Sequence, residues 1–594
     1  MGGTIRIGGA SGFWGETALS VPQLLTVEGL DFLVFDYLAE ITMSILARAR
    51  MKDASLGYAT DFVSEAMARN LPDIAAKGVK VLSNAGGVNP AACAAALREK
   101  IAAQGLSLRV AVVEGDDLLL RAGEFGDATE MFTGDPLPPQ DKLASMNAYI
   151  GAAPIVAALQ AGADIVITGR CVDSALTLAA AMYHFGWKTE DHDLLSAGSL
   201  AGHLLECGPQ STGGNFTDWE EAGDIANIGY PVAEMAADGT FILTKPPGTT
   251  GIVSPPAAIE QMLYEIGDPR AYILPYVVCD FADVTVAQDG PDRVRVAGAK
   301  GRPPTGLLKV SATSMNGYRA GYVFHFNGTD ARTKATSYAQ VALDRARATL
   351  TRTGVADYSE TCVETFGGRP GDGPYEEITL KAAVRHDDAR AVGLFLKEFI
   401  GAALATPPGL HGFTGAGRPK PSPVVALFSF LVPASVVPLT VTLEETPVAY
   451  TPCTPSVRDL SQVDAITPRP TDAQGIELTT RRLEELAFAR SGDKGDKANI
   501  GVIARHAAYM PWIWASLTPQ ALADAFGDLV QGPVDRFYLP GTQSMNLLMH
   551  AALGGGGVAS LRNDAQAKAY AQRLLAQPVQ IPAGLIVNSE EGGL

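Results

Sequence analysis

The sequence predicts an α/β fold in three parts: an N-terminal, mostly parallel sheet of βα repeats, a mixed α+β middle segment and a small C-terminal α+β domain. Short apolar runs alternate with helical stretches over residues 1–240. Strands and long helices then mix over residues 240–450. A compact stretch of strands and helices follows from residue 476 to 585. Alternating strands and helices favour a parallel sheet, because each crossover helix returns the chain to the same edge.

Length and composition fit a globular protein of several domains. With 594 residues the chain is too long for one hydrophobic core. Hydrophobic residues make up 47% of it and charged residues 19%. We expect an α/β region over residues 1–450, a linker over 451–475, the small domain over 476–585 and a frayed end over 586–594.

Charge and cysteine usage exclude several classes of protein. A net charge of -18 disfavours nucleic acid and anionic membrane as partners. No uncharged apolar run reaches about 18 residues, so no transmembrane helix is predicted, and the N-terminus has no secretory signal pattern. The six cysteines are scattered without a Cys-x-x-Cys pair, which predicts neither a disulfide framework nor a zinc ribbon. A reducing cytoplasm is the expected compartment.

Five predicted strands each lead into a polar loop. They are Thr4–Gly8, Phe32–Phe35, Val79–Ser83, Leu108–Val113 and Ile165–Thr168. The carboxyl ends of parallel strands share one edge, so these loops predict one composite ligand pocket. Its candidate residues in the first four loops are Ser11, Gly12, Asp36, Glu40, Asn84, Gly86, Gly87, Asn89, Glu114 and Asp116. Asp36 and Glu40 would share a face if their segment is helical.

Familiar catalytic motifs are missing from these loops. The first loop has the pattern Gly-x-x-Gly-x-x-Gly, which is not the dinucleotide fingerprint but could wrap an anion with backbone N–H groups. No nucleophile elbow, P-loop or His-Glu-x-x-His occurs. Tight turns explain the glycines equally well, and helix capping explains the acidic residues.

The stretch Gly162–Phe216 is the densest in functional side chains. Arg170 is the only cation close to these acidic loops in the sequence, so we expect it to anchor a carboxylate or thioester carbonyl. Asp173 follows at the start of a helix, and Cys171 could be a nucleophile, although free cysteines are usually buried. The loop after residue 208 adds four candidate binding residues: Gln210, Gly213, Gly214 and Asn215.

His203, Glu206 and Cys207 stand at i, i+3 and i+4, on one face of a helix. His203 and Glu206 could act as an acid–base pair, because a carboxylate raises the pKa of a neighbouring imidazole. The three could instead bind Zn²⁺. No second cluster with metal-ligand spacing is visible, so no metal is predicted.

The later parts of the chain add strands, helices and a second polar cluster. The middle segment predicts strands at Tyr272–Cys279, Leu307–Ala312 and Tyr318–Phe326 and helices at Ala331–Leu350 and Asp388–Ala405. The tail predicts strands at Leu483–Ala489 and Ala498–Ala504. The connection between those two strands, together with the start of the second, holds the candidate anion-binding residues: Ser491, Asp493, Lys494, Asp496, Lys497 and Asn499. A solvated hairpin tip has a similar composition.

Several motifs together resemble a known family. They are Ile7–Glu16, Asp36–Glu40, Asn84–Pro90, Ile167–Leu176, Gly202–Gly208 and Arg490–Gly501. The first five resemble the acyclic terpene utilisation AtuA family, formerly a domain of unknown function, and the last resembles its accompanying ferredoxin-fold domain. The resemblance covers nearly the whole chain. It implies a role in the catabolism of citronellol, geraniol and related branched acyl-CoA compounds, but no reaction and no list of catalytic residues.

We therefore expect a catabolic enzyme that acts on a branched acyl-CoA or hydroxy acid by hydratase, dehydratase or lyase chemistry. Arg170, Asp173, His203 and Glu206 are the candidate catalytic residues. No cofactor is required, a coenzyme A thioester is the possible substrate, and a homo-oligomer is expected. Two alternatives stay open: a non-catalytic ligand-binding or assembly subunit, and a metal-dependent hydrolase.

Overall fold

The computed structural model describes residues 3–16, 18–368, 376–412, 417–453, 466–469, 475–557 and 559–585. Most of the predicted linker and all of the predicted frayed end, residues 586–594, lie outside the described residues. The chain divides into two compact units. The first comprises Met1–Thr313, Phe428–His550 and Ala567–Leu594, and the second comprises Ser314–Leu427 and Ala551–Gln566.

A mixed sheet with a parallel centre organises the first unit. Its five central strands are, in spatial order, Ile5–Ser11, Phe32–Phe35, Lys80–Ser83, Ile165–Thr168 and Val110–Glu114. All neighbours among them are parallel. The predicted parallel α/β core is confirmed, and the fifth strand lies between the third and the fourth.

Antiparallel strands extend this sheet at both edges. On one side lie Val232–Met235, Phe241–Thr244, Arg293–Ala297 and Thr285–Gly290, and on the other lie Thr440–Leu443 and Thr446–Pro447. Thr440 pairs antiparallel with Glu114, the last residue of the outermost parallel strand. The sheet is therefore open, and antiparallel strands flank both edges of its parallel centre, Val232–Met235 on one side and Thr440–Leu443 on the other.

Alternation along the central strands builds a core on each face of the sheet. Phe32 and Val34 belong to one core, and Leu33 and Phe35 belong to the other. Helices cover both faces, as a parallel sheet requires. On the face of Leu33 they are Ser20–Leu24, Glu40–Lys52, Leu71–Lys77 and Pro90–Ala103. On the other face they are Ala153–Gln160, Ala175–Phe185, His192–Leu205 and Pro255–Leu263.

The tail forms a four-stranded antiparallel sheet within the first unit. In spatial order its strands are Ala487–Lys494, Lys497–Ala504, Ser544–Met549 and Val534–Leu539. Its helices are Met510–Ser516, Pro519–Phe526 and Tyr570–Leu575, and Leu478–Arg482 pairs with Pro578–Pro582. The predicted strand at Leu483 begins later, because Leu483–Glu485 forms a 3₁₀ turn.

Three strand predictions in the middle segment are wrong in their extent. The predicted strand Tyr272–Cys279 is split into Tyr272–Ile273 and Val278–Asp280, which pair with each other. Val278–Asp280 also pairs with Lys300–Arg302 on its other side. Pro275 lies at the break, where it has no N–H to donate. Leu307–Ala312 and Tyr318–Phe326 are instead one strand, Leu307–Gly328.

The second unit pairs strands with two long helices. Its part of the strand Leu307–Gly328 pairs with Glu376–His386, which also pairs with Glu360–Gly367. The helices are Ala331–Thr353 and Ala389–Gly401, and the strand Ser422–Pro433 leads back to the first unit. Every helix in the described part of the chain is too short or too polar to cross a bilayer.

We expect Gly86→Ala to lower the free energy of unfolding by about 1–3 kcal/mol. A Cβ atom at Gly86 would lie 2.5 Å from the carbonyl oxygen of Thr168 and 2.8 Å from Cα of Pro90, so backbone would have to move. Gly123→Ala is the matched control, since no heavy atom lies within 4 Å of its added Cβ. Urea unfolding of both variants tests this, and equal losses would contradict it.

Candidate active site

The loops after four of the parallel strands meet through hydrogen bonds. The Asn84 side chain donates from Nδ2 to Oδ1 of Asp36 over 2.5 Å, and Ser11 donates from Oγ to the Asp36 carbonyl over 3.0 Å. The Arg170 backbone N–H donates to Oδ2 of Asp116 over 2.8 Å. The predicted convergence of these loops at one sheet edge is confirmed. Polar side chains from distant parts of the sequence thereby share one place.

Arg170 lies at the base of this place, with 3% of its surface exposed. Its Nη1 donates to Oδ1 of Asp173 over 2.7 Å and to the Cys171 carbonyl over 2.6 Å. Its guanidinium carbon lies 4.1 Å from the centre of the Tyr149 ring. Its Nε is buried and has no hydrogen-bond acceptor among the described protein residues. Gly169 permits the approach of Asp116, because a Cβ there would lie 2.3 Å from the carboxylate.

Glu40 begins the helix Glu40–Lys52, where the helix dipole favours a negative charge. Tyr149 donates from its hydroxyl to Oε1 of Glu40 over 2.5 Å, and Nζ of Lys309 lies 3.2 Å from the same oxygen. Burial opposes ionisation, but the charges of Lys309 and Arg170 hold the pKa of Glu40 below its usual value. Glu40 is therefore an anion at neutral pH that anchors the lysine and the tyrosine.

His203 and Glu206 form a buried pair at the end of the helix His192–Leu205. His203 Nδ1 lies 2.8 Å from Oε1 of Glu206, with 1% and 10% of the two side chains exposed. Burial alone would lower the pKa of His203, but Glu206 raises it above its ordinary value. Burial raises the pKa of Glu206 and His203 opposes the rise, so the pair holds a proton that either member can carry. Nε2 of His203 and Oε2 of Glu206 are buried without hydrogen-bond partners among the described protein residues.

The tail of the chain contributes a cation, Lys494, near the side chains at this sheet edge. Lys494 ends the strand Ala487–Lys494, and its Nζ lies 3.3 Å from Oε2 of Glu265. Lys568 lies 3.1 Å from the other oxygen of Glu265. The charge of Lys494 lowers the pKa of both Glu40 and Glu206. The charge of the tail hairpin therefore acts on the side chains at the sheet edge. We call these side chains the sheet-edge cluster: Asp36, Glu40, Arg170, Asp173, His203 and Glu206.

The cluster has a buried base and a mouth open to solvent. The side chains of Arg170 and His203 are only 4% and 1% exposed. Asp173, Lys309 and Lys494 are 27%, 34% and 50% exposed and mark the mouth. A cavity of about 10 Å³ beside Arg170, enough for one water molecule, is lined by Tyr149 and hydroxyl side chains.

Two sequence families match the chain. The family described as acyclic terpene utilisation family protein AtuA matches residues 5–443. The chain belongs to the AtuA family. The AtuA ferredoxin-like domain matches residues 481–580, which contain the four-stranded antiparallel sheet of the tail. Among curated proteins, a search finds no match.

Several predicted binding residues of this AtuA chain bond to other parts of the fold. Asn89 donates to the carbonyls of Ala54 and Leu56, and the Gly12 N–H donates to Glu16. Glu114 lies in a paired strand, and Gly87 has a positive φ of 56°. Gly213 and Asn215 also have positive φ, 104° and 56°, in the loop whose carbonyls of Gln210 and Gly214 accept from Arg490. These residues shape the loops around the cluster.

Most of the predicted binding residues in the tail motif contact other parts of the fold rather than the sheet-edge cluster. Ser491 donates to the Ala567 carbonyl, and Asn499 donates to the Leu263 carbonyl, both in buried positions. Asp493 lies 3.3 Å from Lys568, and Lys497 lies over the Phe132 ring at 4.6 Å. Asp496 occupies the turn between the two strands. Lys494 is the member whose charge lowers the pKa of Glu40 and Glu206.

Three expectations about the cluster are corrected. Asp36 and Glu40 do not share a helix face, because the helix begins at Glu40. Arg170 is not the sole cation, because Lys309 and Lys494 lie near the same carboxylates. Burial raises the pKa of Cys171 to about 12, so this thiol stays protonated and is a poor nucleophile.

The geometry does not favour the alternative that His203, Glu206 and Cys207 bind Zn²⁺ together. Nδ1 of His203 faces Glu206 rather than an ion, and burial raises the pKa of Cys207 well above its usual value. A protonated thiol is a weak metal ligand. Within the described residues, the side chains that could share a metal ion are instead Asp36, Asp173 and Glu206.

Sequence reasoning missed Tyr149, Glu265, Tyr272 and Lys309. Lys309 lies inside a strand, where the strand pattern predicts its secondary structure but not its partner. Glu40, which it contacts, is 269 residues away. Tyr272 packs beside His203 with 5.8 Å between ring centres. No spacing in the sequence links these residues to the loops they meet.

Asp116 is expected to make stability depend on pH. Burial raises its pKa to about 7, although the Arg170 N–H and Asn147 oppose the rise. The unfolded chain loses this proton near pH 4, so ionisation of Asp116 destabilises the fold increasingly between about pH 4 and pH 8. Asp116→Asn should match the wild type near pH 4 and exceed its free energy of unfolding by a few kcal/mol, about 2–4, at pH 8. Thermal unfolding across this range measures the difference.

Asp117→Asn is the control for this pH dependence. Asp117 is 36% exposed and lies 3.5 Å from Arg50, so water and the arginine stabilise its charge. Its substitution removes a partly exposed charge, so it should change the free energy of unfolding by less than about 1 kcal/mol at both ends of the pH range. A difference between Asp116→Asn and the wild type that is constant with pH would contradict the prediction.

Proposed function

We propose that this AtuA-family protein is an enzyme of acyclic terpene catabolism that adds or removes water, or cleaves a carbon–carbon bond, on a branched acyl-CoA or hydroxy acid. The observation that carries the proposal is the buried His203–Glu206 pair, 2.8 Å apart, which lies with Arg170 below a mouth of charged side chains. A proton carrier and a cation that stabilises an oxyanion are the two devices that such chemistry needs.

In the proposed dehydration, His203 takes the proton next to the acyl carbonyl through Nε2, which has no partner among the described protein residues. The C–H electrons form the new carbon–carbon double bond, and the bond to the β-hydroxyl breaks. The hydroxyl leaves as water with the proton that Glu206 carries in the pair, so the proton taken by His203 balances the proton given up by Glu206. In the reverse, hydrating direction, Glu206 takes a proton from water and His203 returns its proton to the carbon.

Arg170 is proposed to bind the oxygen that gains negative charge. Its Nε is buried without an acceptor among the described protein residues, so a substrate oxygen there would satisfy it. The water-sized cavity beside it marks where such an oxygen could enter. An acyl chain is far larger than about 10 Å³, so binding requires the exposed side chains of the mouth, Lys494 and Lys309, to move.

A panel of thioesters tests the proposal. The purified protein is incubated with branched 2-enoyl-CoA, branched 3-hydroxyacyl-CoA and the free hydroxy acids, and products are identified by mass spectrometry. Straight-chain acyl-CoA of equal length is the comparison. Interconversion of enoyl and hydroxyacyl forms, or release of a shorter thioester, is expected. A rise in melting temperature without any product would favour a ligand-binding subunit and overturn the catalytic proposal.

A further inference from the structure

Three carboxylates that the proposed reaction does not fully use converge at the sheet edge. They belong to Asp36 after the second strand, Asp173 before the helix Ala175–Phe185, and Glu206 at the end of the helix His192–Leu205. One oxygen from each lies within 4.8 Å of the others. Carboxylate oxygens repel one another and, when ionised, cannot donate hydrogen bonds to each other. Something positive is needed between them.

Each carboxylate is held from outside by a different donor. Asn84 donates to Oδ1 of Asp36 over 2.5 Å, and Arg170 donates to Oδ1 of Asp173 over 2.7 Å. His203 Nδ1 lies 2.8 Å from Oε1 of Glu206. Metal sites have this construction, in which outer partners orient each ligating carboxylate and leave its other oxygen for the ion.

A second observation, independent of the carboxylate spacing, points to a ligand at this place. Oε2 of Glu206 is buried and has no hydrogen-bond donor among the described protein residues, and only 10% of this side chain is exposed. The other oxygen, Oε1, faces His203. A buried carboxylate oxygen without a partner is costly, so native structures satisfy it with a donor, water or an ion.

We infer that Asp36, Asp173 and Glu206 bind one hard divalent cation of the Mg²⁺, Mn²⁺ or Ca²⁺ class. An all-carboxylate set selects such ions over softer ones. Two oxygens on opposite sides of Mg²⁺ are about 4.2 Å apart and around Ca²⁺ about 5 Å apart, as twice the metal–oxygen distances. The observed limit of 4.8 Å lies within this span. Water or a substrate oxygen fills the remaining positions.

This cation site does not depend on the proposed reaction, because binding is measured without turnover. Protein dialysed against EDTA is titrated with Mn²⁺, and bound ion is counted by electron paramagnetic resonance. One Mn²⁺ per chain is expected, with competition by Mg²⁺ and Ca²⁺ and a rise in melting temperature. Asp36→Asn, Asp173→Asn and Glu206→Gln should each weaken binding at least about tenfold.

Asp61→Asn is the matched control. Asp61 lines a second cavity together with Glu16 and Glu65, the rival place where acidic side chains gather. This variant should bind Mn²⁺ as the wild type does. Circular dichroism and metal-free melting temperatures separate loss of the site from loss of the fold. Because Asp36→Asn relieves repulsion between carboxylates without removing an ion pair, its metal-free melting temperature should equal or exceed that of the wild type.

Three outcomes would overturn the inference. The first is a wild-type protein that binds no Mn²⁺ at millimolar concentration, which would mean that protons shared between the carboxylates replace the ion. The second is unchanged binding in all three cluster variants. The third is loss of binding in Asp61→Asn alone, which would place the ion in the other cavity.

Discussion

Replacing Arg490 with methionine is expected to lower the free energy of unfolding by about 3–5 kcal/mol. The guanidinium contacts Oε2 of Glu260 at 2.9 Å, and these two side chains are only 4% and 0% exposed. It also donates to the side chain of Gln261 and to the carbonyls of Gln210 and Gly214. Removing it leaves a buried carboxylate without its charge partner.

Combining Arg490→Met with Glu260→Gln isolates the cost of the unpaired buried charge. In the double variant, the uncompensated charge disappears and most of the lost stability should return. Burial already raises the pKa of Glu260 above its ordinary value, against the pull of Arg490. Without Arg490 the penalty of ionising Glu260 grows, so the deficit of Arg490→Met should be largest near neutral pH. It should shrink below about pH 4, where the carboxyl is protonated in both states.

Urea unfolding followed by circular dichroism and tryptophan fluorescence measures these differences. Arg482→Met is the control, because Arg482 pairs with Glu484 at 3.1 Å while 60% and 45% of the side chains are exposed. An exposed pair contributes below about 1 kcal/mol. If Arg490→Met cost no more than this control, the buried pair would not hold the tail in place.

Arg490 also shows where prediction from sequence stops. The motif from Arg490 to Asn499 has the composition of an anion-binding loop, and its sequence predicts that role. The hydrogen bonds of this motif instead go to other parts of the first unit, from Arg490, Ser491 and Asn499. An arginine that binds a ligand and an arginine that binds a helix 230 residues away are the same residue type in the sequence. Sequence spacing cannot separate these two roles, whereas burial and partners can.

Local patterns predicted the centre of the fold and part of the cluster. Short apolar runs predict the five parallel strands, and the rule that their carboxyl ends share an edge predicts that Asp36, Asn84 and Arg170 lie near one another. The i, i+3 spacing on a helix predicted the contact of His203 with Glu206. Such inferences depend only on geometry within an element or along one sheet edge.

These local patterns do not predict which strands and side chains from distant parts of the sequence pair with each other. The antiparallel strands at both sheet edges belong to chain that is remote from the parallel centre, and their pairing partners are set by packing rather than by spacing. Lys309 and Glu265 join the cluster for the same reason. The three carboxylates of the inferred cation site are separated by 137 and 33 positions along the chain, counted from their numbers. No metal-ligand motif has that spacing.

His203→Gln is expected to lower kcat/KM by about 10²–10⁴-fold on the substrate that the thioester panel identifies. Glutamine can still donate to Glu206, so the helix end keeps its hydrogen bond, but an amide cannot carry the proton. Because Glu206 raises the pKa of His203, the imidazole stays protonated to a higher pH than a free histidine. Activity that needs a neutral base should therefore rise through a limb above about pH 6.5, and this limb should vanish in the variant.

His550→Gln is the matched control for this last prediction. His550 Nε2 lies 2.8 Å from Oδ2 of Asp535, the same separation as in the buried pair, but these side chains are 27% and 51% exposed. Its loss should change kcat/KM less than about twofold, since a surface pair is screened by solvent. Stopped reactions from pH 5 to pH 9, with circular dichroism as the check on folding, compare the variants. A folded His203→Gln protein with at least half of the wild-type activity would remove His203 from the proton transfer and leave Glu206 and Asp173 to explain it.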